Sequence, residues 1–190
     1  MKTKYFLLVL VLSSYSFGLQ AQIQTINTAK SSVSWLGKKI TGQHEGTIKI
    51  KSGSLEIKNN KISSGNFVID MNTISCSDLE DAGYNQKLVG HLKSDDFFGV
   101  GKFPNAILKI NNSSAFLNNV ASVKGQITIK GKTEDISFDV TNEKNTYSAN
   151  IEIDRSKFNV RYGSTSFFDT LGDKAIDDIF TLNIKLLTNN

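Results

Sequence analysis

From residue 33 onward, apolar and polar side chains alternate with a period of two. Ile127 and Ile129 alternate with Gln126, Thr128 and Lys130, and Ile136, Phe138 and Val140 with Ser137 and Asp139. Tyr147, Ala149, Ile151 and Ile153 do the same, as do Phe180, Leu182, Ile184 and Leu186. Successive side chains of a strand point to opposite faces, so each run has one face in a core and one in water. Shorter candidates are Val33 with Trp35, Ile48 with Ile50, Leu55 with Ile57, Phe67 with Ile69 and Met71, and Leu108 with Ile110. Turn chemistry separates many of them: Ser52-Gly53, Lys58-Asn59-Asn60, Lys130-Gly131-Lys132 and Asn142-Glu143-Lys144-Asn145. The expectation is an all-β chain of about eight antiparallel strands, mostly a meander, closing as an up-and-down barrel or a curled sheet. Two segments break the alternation. Residues 72–104 carry Tyr84, Leu88 and Leu92 at four-residue spacing with Val89 alongside, which predicts a short helix. Residues 155–178 read as a long irregular connection rich in Gly, Ser and Phe. Long connections inside a compact β domain often carry function.

The first residues follow a different rule. Lys2 and Lys4 precede the apolar run Tyr5 to Leu12, and Leu19-Gln20-Ala21 offers a small-residue cleavage site. These are the parts of a secretory signal peptide, and the run is short of the roughly 20 residues a spanning helix needs. The expected division is a signal peptide over 1–21 and one exported domain over 22–190. Cleavage takes two lysines from the formal charge of +4, and no cluster of like charge remains to suggest nucleic-acid binding. One cysteine, Cys76, argues on composition against an internal disulfide framework and against any cysteine-built zinc site. With only His44 and His91 as imidazoles, no metal site is expected. Catalytic and nucleotide-binding motifs are absent.

A barrel of this size encloses either packed side chains or one apolar ligand. Of twelve phenylalanines, Phe6 and Phe17 leave with the signal. The rest include two adjacent pairs in the irregular segments, Phe97-Phe98 and Phe167-Phe168. Either one ring of each pair faces a cavity or a partner, or both plug the barrel ends. His91, beside Lys93, Asp95 and Asp96, is a candidate general base or a helix C-terminal contact. Arg155 and Arg161 are candidates for an anionic head group, or pair with nearby acids. Asp169, Asp173, Asp177 and Asp178 lack calcium-loop spacing and read as solvated acids.

Four segments together resemble the YceI-like family. They are His91-Leu92-Lys93-Ser94-Asp95-Asp96-Phe97-Phe98 with Lys102-Phe103-Pro104, the hairpin Gly125 to Thr133, the stretch Ile153-Asp154-Arg155-Ser156-Lys157-Phe158-Asn159-Val160, and the tail Leu171 to Asp178. They occur in the family's order across roughly residues 25–187. Asn159 departs from the family's usual glycine, and Gly99-Val100-Gly101 from the charged residues common there. The resemblance implies a periplasmic or secreted, extended barrel of lipocalin-like shape, with one or two short helices in long connections. It further implies an apolar tunnel for a long-chain amphiphile of the polyisoprenoid or fatty-acid-amide class. On that basis Trp35, Phe67, Ile69, Phe97, Phe138, Phe158 and Phe168 are expected to line the tunnel, with His91, Lys93 and Arg155 at a polar mouth. No cofactor beyond the lipid is expected. A transient membrane or membrane-protein contact and a homodimer, for instance through unpaired Cys76, remain open. The alternatives are a lipid ester or amide hydrolase using His91 with Ser94 as nucleophile, and a packed barrel acting as a stress or interaction protein.

Overall fold

The computed structural model describes residues 21–189; the segment read as a signal peptide lies, but for Ala21, outside the described residues. Nine strands follow in chain order: β1 (Gln22–Thr25), β2 (Ser32–Lys39), β3 (Gly42–Lys58), β4 (Lys61–Cys76), β5 (Asn105–Ser113), β6 (Val120–Ile129), β7 (Lys132–Glu143), β8 (Thr146–Asp154) and β9 (Ile176–Leu187). One helix, α1 (Ala82–Lys93), sits between β4 and β5. Strand order is β1-β3-β2-β9-β8-β7-β6-β5-β4, and β3–β4 pairing closes the ring. All pairings are antiparallel. Eight positions make the barrel, because β1 and β2 share one: β2 pairs with the first part of β3 and β1 with its last part. Ile26, between them, bridges to Thr188 beyond β9.

The hairpin turns follow from residues that tolerate left-handed backbone. Asn59 and Asn60 have φ of 53° and 58°, and Lys130 and Gly131 of 49° and 76°, the signs that a two-residue turn between twisted strands requires. Ser52-Gly53 is not a turn. β3 runs straight through it, with a register shift against β4 between Ile50 and Ser52. The extra residue moves the inward face from even positions (Ile48, Ile50) to odd ones (Gly53, Leu55), and that flip imitates a strand boundary. Gly53 has no side chain because a Cβ there would lie 2.7 Å from the Phe67 ring.

In α1 the Asp81 carboxylate caps the N-terminus by accepting from the Tyr84 amide at 2.8 Å. Leu92 is buried and Leu88 packs on the core, but Tyr84 is exposed, so the inward stripe is shorter than its spacing suggested. The connection from β8 to β9 begins with a 3-10 turn over Arg155–Phe158 and ends in another over Gly172–Lys174. Asn159 terminates the first with φ 59° and ψ 32°, the left-handed conformation a glycine would adopt there.

The irregular segments gather at one end of the barrel. Lys39 of β2 pairs with Ile176, and Lys130 in the β6–β7 turn donates to the carbonyls of Asp95 and Asn159. The 3-10 turn packs against β7 and β9, beyond the point where β7 and β8 stop pairing. Those two strands share only the stretch from Val140–Glu143 to Thr146–Ala149.

Candidate functional site

The strands' inward faces are apolar, yet many of these side chains are only half-buried. Trp35, Ile69, Leu108, Phe138, Leu182 and Ile184 stay partly accessible although strands surround them. They face a hollow. An apolar cavity of about 180 Å³ has walls drawn from every strand between β2 and β9 and from α1. Its polar wall residues are Ser148, Arg155 and Asp177, besides the Tyr147 hydroxyl; that hydroxyl donates to Gln24 at 2.9 Å. An apolar cavity of about 150 Å³ takes one benzene, so the space admits only a short stretch of a long ligand before any side chain moves. A chain of tens of carbons therefore needs lining rotamers to shift along the barrel.

Trp35, Phe67, Ile69, Phe97 and Phe138 all lie on this wall. The Trp35 indole N–H is satisfied by the Ser75 carbonyl at 3.0 Å, which fixes the ring against the barrel end. Both members of Phe97-Phe98 line the cavity, edge to face at 5.0 Å. Two expected members do not lie on the wall. Phe158 is buried in the core, within the 3-10 turn that packs on β7 and β9. Phe168 is 49% exposed on the outer surface and, with Lys130, Arg161 and Lys174, borders a shallow groove. Phe167 is also outside, beneath the Arg161 guanidinium at 4.8 Å. A doubled phenylalanine thus has opposite meanings in the two connections.

The polar candidates separate as well. Arg155 is only 2% exposed, and its donors are spent on the chain. Nε donates to Asp177 O at 3.0 Å, Nη1 to Val160 O at 3.0 Å and Tyr162 O at 2.8 Å, and Nη2 to Ile176 O at 2.9 Å. Nη2 also lies 3.3 Å from the Asp178 carboxylate. Burial pushes the guanidinium pKa down, opposed by Asp178, Asp154 and Asp177. It is a brace for the β8–β9 connection, not a free anchor for a head group. Lys93 borders a separate groove between α1 and β4. His91 packs edge-on against Tyr162 at 4.3 Å and Phe97 at 5.7 Å, and its Nε2 is buried without a hydrogen-bond partner. Ser94 Oγ donates to the His91 main-chain carbonyl at 2.8 Å, so it makes no nucleophile–base pair with the imidazole.

Sequence reasoning passed over one cluster. Asp78 accepts from the Glu45 amide at 2.9 Å, contacts His44 Nδ1 at 2.8 Å and accepts from the Cys76 thiol at 3.1 Å. Desolvation raises the Asp78 pKa, but these hydrogen bonds outweigh it and hold it at about 2. Asp178 is likewise lowered: desolvation is overcome by the Ser164 and Ser166 hydroxyls and by Arg155. Burial and the Asp78 contact push the Cys76 thiol up. A carboxylate with a depressed folded-state pKa contributes stability above its unfolded value that is lost as pH falls through the folded one. The urea midpoint is therefore expected to hold from neutrality down to about pH 4 and to drop between about pH 4 and 2. In Asp78→Asn the neutral-pH midpoint should be lower and the acid drop smaller; equal drops in both proteins would refute the assignment.

Fold and cavity define the class: a closed antiparallel β-barrel around an apolar interior. A YceI-like domain model matches residues 24–187, and the chain belongs to the YceI-like family. Its structure is similar to the crystal structure of Burkholderia cenocepacia BcnA, with TM-score 0.68 and 26% identity over 86% of this chain and 99% of that one. It also resembles a polyisoprenoid-binding domain from Saccharophagus degradans, described as implicated in plant cell wall breakdown. There the TM-score is 0.58 and identity 12%, covering 87% of this chain and 97% of that one. The Campylobacter jejuni YceI protein matches with TM-score 0.51 and 18% identity over 100% and 94% of the two chains. No curated protein matches the sequence.

Proposed function

We propose that this protein is a non-catalytic binder and carrier of a long-chain amphiphile, of the polyisoprenoid or fatty-acid-amide class, held in the barrel cavity. The observation that carries the reading is the apolar cavity inside the barrel. Each methylene moved there from water gains about 0.8 kcal/mol, so the chain supplies affinity without a charged anchor. The binding activity named for the Saccharophagus degradans relative points the same way. The spent Ser94 hydroxyl argues against the hydrolase, and the open cavity against a fully packed barrel. The Lys2–Ala21 pattern supports a carrier that works outside the cytoplasm, periplasmic or secreted after cleavage near Ala21, where it would exchange lipid with a membrane or membrane protein.

His91 is the group we assign to the ligand's polar end, since its Nε2 is buried, unpartnered and next to cavity-lining Phe97. One hydrogen bond contributes about 0.5–1.5 kcal/mol net. His91→Phe is thus expected to weaken a fatty amide by about 3- to 10-fold while leaving a hydrocarbon of equal length unaffected. Equal loss for both would remove His91 from the head-group role. The reading itself is tested by organic extraction of the purified protein and mass spectrometry. A co-purified prenyl or acyl lipid is expected; extracts without lipid, together with no uptake of either class, would reject it.

A further inference from the structure

His44, Cys76 and Asp78 lie apart from the cavity wall but continue its geometry. On β3 the inward positions Ile50 and Ile48 lead, two residues at a time, to Gly46 and His44; on β4 Ile74 leads to Cys76. Gly46 and Cys76 are direct cross-strand partners. A Cβ on Gly46 would sit 1.8 Å from Ser75 O and 2.8 Å from the Trp35 ring, so glycine here lets the two strands and the indole close up. Asp78, just past β4, turns its carboxylate back onto both side chains. One nitrogen, one sulfur and one oxygen ligand atom thus lie within 4.8 Å of one another.

We propose that His44 Nδ1, Cys76 Sγ and an Asp78 carboxylate oxygen form a three-ligand site for a zinc-like cation at the barrel rim, its fourth position open to solvent. Bonds of about 2.0–2.3 Å at tetrahedral angles put ligand atoms roughly 3.3–3.8 Å apart. His44 Nδ1 lies 2.8 Å from one Asp78 oxygen and Cys76 Sγ 3.1 Å from the other. One ligand atom from each residue lies within 4.8 Å of the other two, so small side-chain adjustments bring a single carboxylate oxygen, the sulfur and the nitrogen to that spacing. Binding forms Nδ1–metal, S–metal and O–metal bonds and displaces the thiol proton and any proton on Nδ1 to solvent. The donor set suits zinc better than magnesium or calcium, which prefer all-oxygen ligands. Composition argues against any cysteine-built zinc site; strand register, which composition does not show, brings Cys76 together with His44 and Asp78. Asp78 is already oriented by the Glu45 amide, which supplies the outer support metal ligands need. The site is independent of the lipid reading and does not depend on it.

The test is equilibrium dialysis of the purified protein, kept reduced, against Zn²⁺, with Co²⁺ as a spectroscopic substitute. Cys76→Ser, His44→Gln and Asp78→Asn are compared after circular dichroism confirms that each is folded. The expected result is one equivalent of Zn²⁺ in the wild type, tetrahedral Co²⁺ absorption with a thiolate charge-transfer band, and affinity at least about 10-fold weaker in each variant. A wild type that retains no Zn²⁺, or a Cys76→Ser protein that binds as well as the wild type and gives the same Co²⁺ spectrum, would overturn the proposal. Should Cys76→Ser fail to fold, His44→Gln carries the test, because its ring is partly exposed and no packed core is lost.

Discussion

Replacing Arg155 with alanine is expected to cost about 3–5 kcal/mol of folding stability, the penalty for breaking a buried charged network from one side. The guanidinium donates to four main-chain carbonyls and sits against the Asp178 carboxylate. At 2% exposure, water cannot replace those donors without opening the connection. Arg155→Lys keeps the charge but offers one ammonium in place of a planar fork, so it should recover only a minor part of the loss. The readout is the urea midpoint at unchanged slope. A loss below about 1 kcal/mol in Arg155→Ala would mean that the connection from 155 to 178 is held chiefly by its apolar contacts.

A bulkier side chain at Ala149 is expected to abolish lipid uptake with little effect on the fold. Ala149 is a partly accessible cavity-wall residue near the middle of β8, paired with Val140 and Ile184. A dry cavity of about 150 Å³ holds one benzene, so the phenyl ring of Ala149→Phe would occupy most of the 180 Å³ present here. Ligand at 100 times its Kd stabilises a protein by about 2.7 kcal/mol. The wild type should therefore gain thermal stability on addition of a prenyl alcohol or fatty amide, and Ala149→Phe should gain none. An equal upward shift in both proteins would place the ligand elsewhere, with the outer groove beside Phe168 the next candidate.

How much of this was legible in the sequence depends on where the period-two pattern holds. β6 and β7 keep one phase throughout, and their inward residues were readable directly. β3 and β4 were not, because bulges flip the phase within single strands of 17 and 16 residues. β1 is too short to alternate visibly, and only its pairing with β3 reveals it. Five of the seven apolar candidates sit on the cavity wall because four are inward strand residues and Phe97 follows α1 into the core. Phe158 and Phe168 lie in the β8–β9 connection, where periodicity says nothing about direction. For Arg155 the nearby acid, Asp178, was legible, but the four carbonyls it donates to were not, because no residue type marks them in an irregular segment. The His44–Cys76–Asp78 cluster joins positions about 30 apart through strand register, which a single sequence does not display.

Trp35, the chain's single tryptophan, stands on the cavity wall and reports directly on what enters it. The decisive measurement is a titration of its fluorescence with prenyl alcohols and fatty amides of increasing chain length. Saturable, one-to-one changes whose affinity rises with chain length, absent in Ala149→Phe, are the expected result. No saturable change with either class at any length, from a folded and lipid-free protein, would contradict lipid binding in this barrel.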